Sequence, residues 1–163
     1  GVYLDLKSTT ERPLDDTLRA DDEYVLAFWP NLPHQSVPNV GIHPVLTEQG
    51  FVRGEFQNWH IIAAPAHPLL RYVISFMMHC IQAHAGDPQI CGKYGVLMTT
   101  GPIMYTLGLA KGLGACAHRV VGSSDELGLR YSSVDRHDLH FKGHYAGQTA
   151  PVILSDAERV GAD

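Results

Sequence analysis

The stretch Gly1-Val2-Tyr3-Leu4-Asp5-Leu6-Lys7, residues 1–7, joins a short apolar run to an acid and a base. Valine, tyrosine and leucine in succession favour a β-strand, and turn residues at 8–13 predict that it ends near Leu6. In α/β proteins ligands bind outside the carboxyl ends of strands. Asp5 and Lys7 are therefore the first candidate site. Because a natural chain seldom starts inside a strand, the sequence also predicts further residues upstream, which could include a signal or an anchor.

Outward from this strand, apolar runs predict alternating strands and helices in one mixed α/β or α+β domain spanning residues 1–163. Proline at the first helical turn supports both predicted helices. Strands are predicted at 24–29, 56–64, 117–121, 127–131 and 151–154, helices at 68–84 and 102–112, and irregular surface chain at 30–50.

Composition excludes several classes of protein. Seventeen acidic and twelve basic residues give a net charge of -5, and the basic side chains are scattered, so nucleic acid is not an expected partner. Three widely spaced cysteines argue against a disulfide framework or a zinc cluster and favour a reducing compartment, most simply the cytoplasm. The longest apolar stretch, 69–81, is interrupted by Arg71 and His79, so a membrane span is not predicted. Association with a membrane surface stays open.

Four short segments of the sequence are considered together, in the order in which they occur along the chain. They are residues 1–7 with Arg12-Pro13-Leu14-Asp15-Asp16, then Gln57-Asn58-Trp59, Ala66-His67-Pro68-Leu69-Leu70, and Thr100-Gly101-Pro102-Ile103-Met104-Tyr105-Thr106. Together they resemble the glycosyltransferase family with a "DXD" sugar-binding region, which includes fungal Golgi mannosyltransferases and bacterial capsular polysaccharide enzymes. The capsular type looks closest, and the resemblance reaches from Gly1 to about Ile153.

The resemblance implies a GT-A-like α/β fold with a mixed sheet, of which this chain would be the carboxyl-terminal part without the amino-terminal nucleotide-binding strands. It implies retaining transfer of a sugar from a nucleotide-diphosphate donor to a glycan or a lipid-linked hydroxyl acceptor. It also implies a divalent metal, Mn²⁺ above all, bridging the two phosphates of the donor.

Asp5 matches the first acid of the family's motif, and the resemblance gives it a catalytic and metal-binding role. Without the resemblance, a hydrogen bond within a turn is the simpler interpretation. Lys7 stands where the second acid would bind the metal, and an ammonium cannot ligate a cation. Lys7 either neutralises the donor pyrophosphate or points into solvent.

A histidine-rich segment is the second candidate site. His137, Asp138, His140 and His144 have spacings at which imidazole and carboxylate groups can converge on a metal, although for each histidine taken alone an ordinary surface position is the preferred explanation. His144-Tyr145, with Gln148-Thr149-Ala150-Pro151 beyond it, resembles the family's carboxyl-terminal histidine segment. The predicted metal ligands are therefore Asp5, His144 and His140.

Seven residues in the matching segments are predicted to bind substrate, and several have a structural alternative. Trp59 could stack on a sugar or belong to the core, and His67 and Thr100 could simply cap helices. The seven are Tyr3, Asn58, Trp59, His67, Thr100, Gly101 and Tyr105.

Three functions remain open at the level of sequence. A metal-assisted glycosyltransferase is the leading hypothesis. A non-catalytic carbohydrate-binding or degenerate transferase-like protein is the second, supported by Lys7. A metal-dependent hydrolase built on residues 137–144 is the third, although a water-activating glutamate does not accompany that segment at a recognised spacing.

Overall fold

A four-stranded mixed sheet forms the centre of the fold. A computed structural model of the protein describes residues 1–31, 38–131 and 147–155. The strands in these ranges are β1 (Val2–Leu4), β2 (Thr9–Thr10), β3 (Tyr24–Ala27), β4 (His60–Ala63), β5 (Arg119–Val121) and β6 (Leu129–Arg130). The central sheet has the order β1-β4-β3-β5, and β2 pairs with β6 in a separate two-stranded sheet.

The strand directions bring several chain segments to one side of this sheet. β4 is antiparallel to β1 and to β3, whereas β3 and β5 are parallel. β1, β3 and β5 therefore all end on the side where β4 begins. We call this side the carboxyl edge, and the opposite side the amino edge.

Two helices, α2 (Pro68–Ala83) and α4 (Pro102–Ala110), cover one face of the sheet. The other two helices of the described residues are α1 (Pro44–Thr47) and α3 (Gly92–Thr99), and α3 packs on α2 and α4. α4 packs closely on α2 because Gly108 has no side chain; a β-carbon there would lie 2.9 Å from the Cα atom of Val73. The core on this face is built from buried apolar side chains that include Leu26, Leu69 and Leu109.

The other face of the sheet holds a second core. Val25, Ala27, Ile62 and Val121 are buried there against Leu127 and Leu129. The β2–β6 sheet and two short 3-10 helices, Leu14–Asp16 and Ser124–Leu127, contribute to this layer. The fold is thus a mixed α/β structure with different cover on its two faces.

Most of the predicted elements are present with shorter bounds. The strands predicted at 24–29, 56–64 and 117–121 correspond to β3, β4 and β5, and the two predicted helices are α2 and α4. Among the described residues, no helix has both the length and the apolar character needed to cross a bilayer.

Four predictions of secondary structure differ from the structure, and the first is the irregular stretch 30–50, which contains α1. The strand predicted at 127–131 is reduced to β6, because Leu127 ends a 3-10 helix and Gly128 then turns the chain with a φ of 65°. At 151–154 only Pro151 forms an isolated bridge, with Cys91. α3 lies between the two predicted helices, where no helix was predicted, and its two glycines have low helix propensity. Gly95 is required by packing, since a β-carbon would lie 2.7 Å from the carbonyl carbon of Ile90.

Candidate functional site at the carboxyl edge

Asp5 lies at the carboxyl edge, directly after β1. Its backbone N–H donates a hydrogen bond of 2.8 Å to the carbonyl of Trp59, which fixes it beside the start of β4. The Tyr3 hydroxyl donates a hydrogen bond of 2.8 Å to Asp5 Oδ1, and this bond raises the pKa of Tyr3. Tyr3 is 54% exposed, so a ligand can reach this pair from solvent. The Asp5 carboxylate is thus bonded to a residue of β1, whereas the turn that follows is closed by the Ser8 N–H, which donates to the Asp5 backbone carbonyl at 2.9 Å.

Lys7 lies two residues beyond Asp5 and is partly buried. Its ammonium is 4.5 Å from the ring centroid of Tyr131, within the range of a cation–π interaction. The Lys7 side chain is thus held against the protein and is not simply extended into solvent. Its positive charge remains at the carboxyl edge.

Trp29, Trp59 and Tyr131 form an aromatic cluster at this edge. The ring centroid of Tyr131 is 5.7 Å from that of Trp29 and 5.1 Å from that of Trp59. Trp59 is only 3% exposed and belongs to the second core, which supports the structural alternative for this residue over stacking on a sugar. Trp29 and Tyr131 are half-buried and remain accessible.

Glu55 adds a buried carboxylate that sequence reasoning missed. The indole N–H of Trp29 donates to Glu55 Oε1 at 2.9 Å, and His43 Nε2 lies 2.9 Å from Glu55 Oε2. A buried carboxylate needs such partners because burial of an unpaired charge is costly. The sequence signal for this residue is an acid that stands between Gly54 and Phe56, at the start of a predicted strand. An acid at such a position is expected to be buried only if its carboxylate is paired.

The backbone around Glu55 depends on glycine. Gly41 and Gly54 have φ angles of 74° and 88°, which favour glycine. A β-carbon on Gly41 would lie 2.5 Å from Trp29 Cδ1 and 2.7 Å from Glu55 Cγ. The Glu55 N–H also donates to the Gly41 carbonyl at 2.8 Å. The close approach of these segments therefore sets the position of the carboxylate.

Residues 57–60 place further polar side chains in the protein interior. Gln57, Trp59 and His60 are each at most 3% exposed. Gln57 Oε1, Trp59 Nε1 and both ring nitrogens of His60 have no hydrogen-bond partner in the described structure. Burial lowers the pKa of His60 to about 4. The imidazole is therefore neutral at pH 7.

His67 lies away from Asp5, at the amino edge. It caps α2, since its Nδ1 accepts a hydrogen bond of 3.2 Å from the Leu69 N–H, and its Nε2 lies 3.0 Å from the Ala117 carbonyl. The capping prediction for His67 is thus confirmed. Both ring nitrogens are engaged within the protein.

The segment 100–106 also serves packing in this structure. Thr100 follows α3 as its carboxyl-terminal cap, and Gly101, without a side chain, is the residue that precedes α4. Tyr105 is buried, and its hydroxyl shares a hydrogen bond of 2.8 Å with Tyr24. A contact of Tyr105 with substrate is not compatible with this placement. Asn58, next to Trp59, is partly exposed at the carboxyl edge.

A metal site is not assembled by the described residues. Across 1–31, 38–131 and 147–155, no group of three histidine, cysteine, aspartate or glutamate side chains is arranged to hold an ion. His137, Asp138, His140 and His144 lie outside these ranges. The ligand set predicted from the sequence is therefore represented here by Asp5 alone.

The amino edge carries a polar cavity of about 310 Å³, lined by residues 19, 21–23 and 117–119. Arg119 Nε donates to Asp22 Oδ1 at 2.6 Å, and the Arg19 N–H donates to Asp22 Oδ2 at 2.9 Å. The hydrogen bond from Arg119 holds the pKa of the Asp22 carboxyl below its usual value. This pair ties the segment before β3 to the start of β5.

Replacement of Asp22 by asparagine is expected to lower the free energy of unfolding by about 2 kcal/mol at pH 7, because it leaves the Arg119 guanidinium without its counter-ion. Since the pKa of Asp22 is lower in the folded state, its stabilising effect is present above the unfolded pKa and is lost as the pH falls toward acid. Urea unfolding of the parent, Asp22→Asn and Asp21→Asn would check this. Equal losses in the two variants would contradict a specific role for Asp22, because Asp21 is exposed.

Comparison of the chain with protein-family models, with curated proteins and with solved structures gave no match. The resemblance to glycosyltransferases stays a prediction from the sequence.

Proposed function

We propose that this chain carries the sugar-handling part of a GT-A-like glycosyltransferase, which moves a sugar from a nucleotide-diphosphate donor to a hydroxyl acceptor. The observation that carries the proposal is the position of Asp5. It is an accessible carboxylate at the edge where β1, β3 and β5 end, which is where α/β proteins bind ligands. The ordered motifs that resemble the family include this residue.

The positive charge of Lys7 suits a reaction in which a diphosphate leaves the sugar. When the bond from the sugar to the phosphate oxygen breaks, negative charge grows on the leaving diphosphate, and a fixed cation stabilises it. Lys7 supplies such a charge near Asp5, and its position over Tyr131 restricts its movement. In this proposal Asp5 accepts hydrogen bonds from donor hydroxyls, while Lys7 faces the phosphates.

The described residues do not by themselves fit a metal. One carboxylate, already hydrogen-bonded to Tyr3, is too little for a divalent ion, which takes several oxygen ligands. Binding of Mn²⁺ through Asp5, His140 and His144 remains a prediction. Each step proposed above therefore uses only side chains of the described chain.

The proposal is tested by donor hydrolysis and sugar transfer. The purified protein would be incubated with a panel of UDP- and GDP-linked hexoses and a mixture of oligosaccharides, with manganese or with a chelator. Released nucleotide and extended glycan are measured separately. If the protein binds none of these donors and releases no nucleotide, the transferase proposal is wrong.

A non-catalytic carbohydrate-binding protein is the second candidate, and Lys7 favours it. A protein that retains the fold but has lost the motif's second acid would bind sugars without breaking the donor. Glycan binding without donor binding in the same assays would support this alternative.

Lys7 is expected to contribute about 1 to 3 kcal/mol to donor binding if it faces the pyrophosphate. Lys7→Met should therefore weaken donor binding about tenfold, while its apolar chain preserves the contact with Tyr131. Lys7→Asp should restore activity only with added manganese, because it supplies a second acid. Donor-binding curves for the three proteins, each with manganese and with chelator, would measure this.

The alternative is that Lys7 stabilises the fold through its contact with Tyr131 and does not contact the donor. Lys7→Met would then lower the free energy of unfolding by about 0.5 to 2 kcal/mol, which is the range of a cation–π interaction. The three donor-binding curves would superimpose. That result would remove the electrostatic role.

A further inference from the structure

Glu55 is organised as a fixed hydrogen-bond acceptor at the carboxyl edge. Its side chain is 7% exposed, and each oxygen receives a hydrogen bond from a different side chain, Trp29 or His43. These three residues come from separate segments of the chain. They are therefore brought together by tertiary structure and are not a by-product of local sequence.

The surrounding chain has unusual backbone geometry. Asn31 and Asn39 have φ angles of 41° and 58°, and Gly41 and Gly54 also have positive φ angles. The Asn31 side chain donates to the Val40 carbonyl at 3.0 Å and accepts from the Val40 N–H at 2.8 Å. Backbone conformations of this kind cluster at binding and catalytic sites, where the fold compensates their cost. Of these four residues, only the two asparagines adopt a conformation that is costly for a residue with a side chain, and the hydrogen bonds of Asn31 with Val40 help to hold this segment in place.

His43 presents its second ring nitrogen away from this pair. Because an ionised carboxylate only accepts hydrogen bonds, the proton in this contact is on His43 Nε2, and Nδ1 faces away from Glu55. Although His43 immediately precedes α1, its side chain makes no capping hydrogen bond, and 26% of the side chain is exposed. Nδ1 makes no other hydrogen bond within the described residues. It is thus an oriented polar atom with which a ligand hydroxyl can form a hydrogen bond.

Trp29 links the pair of Glu55 and His43 to the site at Asp5. Its N–H is committed to Glu55, and its half-buried ring meets the edge of Tyr131, over which Lys7 lies. The polar pair and the aromatic cluster are therefore continuous along one edge. A molecule that binds His43 lies beside the place proposed for the donor.

We propose that Glu55, His43 and Trp29 form the acceptor subsite, and that the acceptor is a carbohydrate. One sugar hydroxyl forms a hydrogen bond with His43 Nδ1, and the apolar C–H face of the sugar ring packs on Trp29. Carbohydrates present hydroxyls and C–H faces together, which matches an oriented polar group beside an aromatic ring. The role of this glycan as the acceptor of a transfer reaction rests on the proposed function. Binding of a carbohydrate to these three residues does not depend on a donor.

The test is titration of the 163-residue protein with maltotetraose, mannotetraose and galactotetraose, followed by tryptophan fluorescence and calorimetry. We expect the parent to bind at least one of them. His43→Gln should weaken that binding about tenfold, because the oriented ring nitrogen and its hydrogen bond are lost. The matched control is His79→Gln, since His79 is exposed on α2, and it should bind as the parent does. Circular dichroism would establish that each variant is folded.

A second variant keeps the proposal falsifiable if His43→Gln does not fold. Trp29→Phe retains an aromatic ring but removes the indole N–H and reduces the stacking area. It should therefore also weaken binding of the glycan. Binding that is equal in the parent and in a folded His43→Gln or Trp29→Phe variant overturns the subsite. Absence of binding to all three oligosaccharides by the parent overturns it as well.

Donor titrations on the same samples separate this inference from the proposed function. If donors bind and glycans do not, the subsite is wrong and the transferase proposal stands. If glycans bind with the expected His43 dependence and donors do not, the transferase proposal fails while the carbohydrate site stands. If His43→Gln loses glycan binding and keeps parental donor binding, both are supported.

Discussion

Replacement of Asp5 by asparagine is expected to reduce sugar transfer about 10- to 100-fold while leaving the free energy of unfolding nearly unchanged. Loss of one charge-assisted hydrogen bond to the reacting donor corresponds to roughly 1.5 to 3 kcal/mol, which gives a rate effect of that size. Asparagine retains an oxygen that can accept the hydrogen bond of the Tyr3 hydroxyl. The backbone N–H of residue 5 still bonds to Trp59, so the fold has little reason to respond.

The measurement compares transfer rates and urea unfolding of the parent, Asp5→Asn and the control Asp21→Asn. Asp21 is an exposed acid at the amino edge, so its replacement should affect neither quantity. If Asp5→Asn unfolds while its remaining folded fraction transfers sugar normally, Asp5 has only a structural role. Parental rates in a stable Asp5→Asn protein would likewise remove it from the site.

The part of the fold that the sequence predicted is the part decided by local pattern. α2 and α4 were predictable because apolar residues recur at helical spacing and Pro68 and Pro102 occupy first turns. α3 was not, because it contains two glycines of low helix propensity, one of which, Gly95, is required by its contact with Ile90. Tertiary packing overrode the local preference at this element.

The candidate site also contains residues whose positions follow from local sequence and residues that only tertiary folding brings together. Asp5 and Lys7 were predictable because a strand end and a neighbouring turn place them at one edge. Glu55 and His43 were not, because twelve positions separate them and only folding of residues 39–55 around two glycines brings them together. His67 and Tyr105 lie in motifs that suggested substrate contact, yet their polar atoms are used within the protein, at Ala117 and Tyr24.

The second large effect is expected in the pH dependence of stability, and it concerns His60. The imidazole is 1% exposed, and neither nitrogen has a hydrogen-bond partner in the described structure. Burial disfavours the charged form, which lowers the pKa from its usual 6.5 to about 4 in the folded protein. Between these two values the unfolded chain binds a proton that the folded protein does not. The free energy of unfolding must therefore fall as the pH decreases from 6.5 toward 4.

The difference between the two pKa values corresponds to about 3 kcal/mol of stability lost by pH 4, relative to neutral pH. His60→Leu should remove this contribution, because the variant has nothing to protonate at that position and fits an apolar neighbour, Leu4, across the strand pair. Its stability at pH 7 should equal or exceed that of the parent, since an unpartnered buried polar group is replaced by an apolar one. The control His79→Gln should retain the parental acid sensitivity, because His79 is exposed. Urea unfolding of the three proteins between pH 7.5 and pH 4.5, a range chosen on the basis of these pKa values, would measure the slopes. Parallel curves for the parent and His60→Leu would show that His60 does not titrate as a buried neutral imidazole.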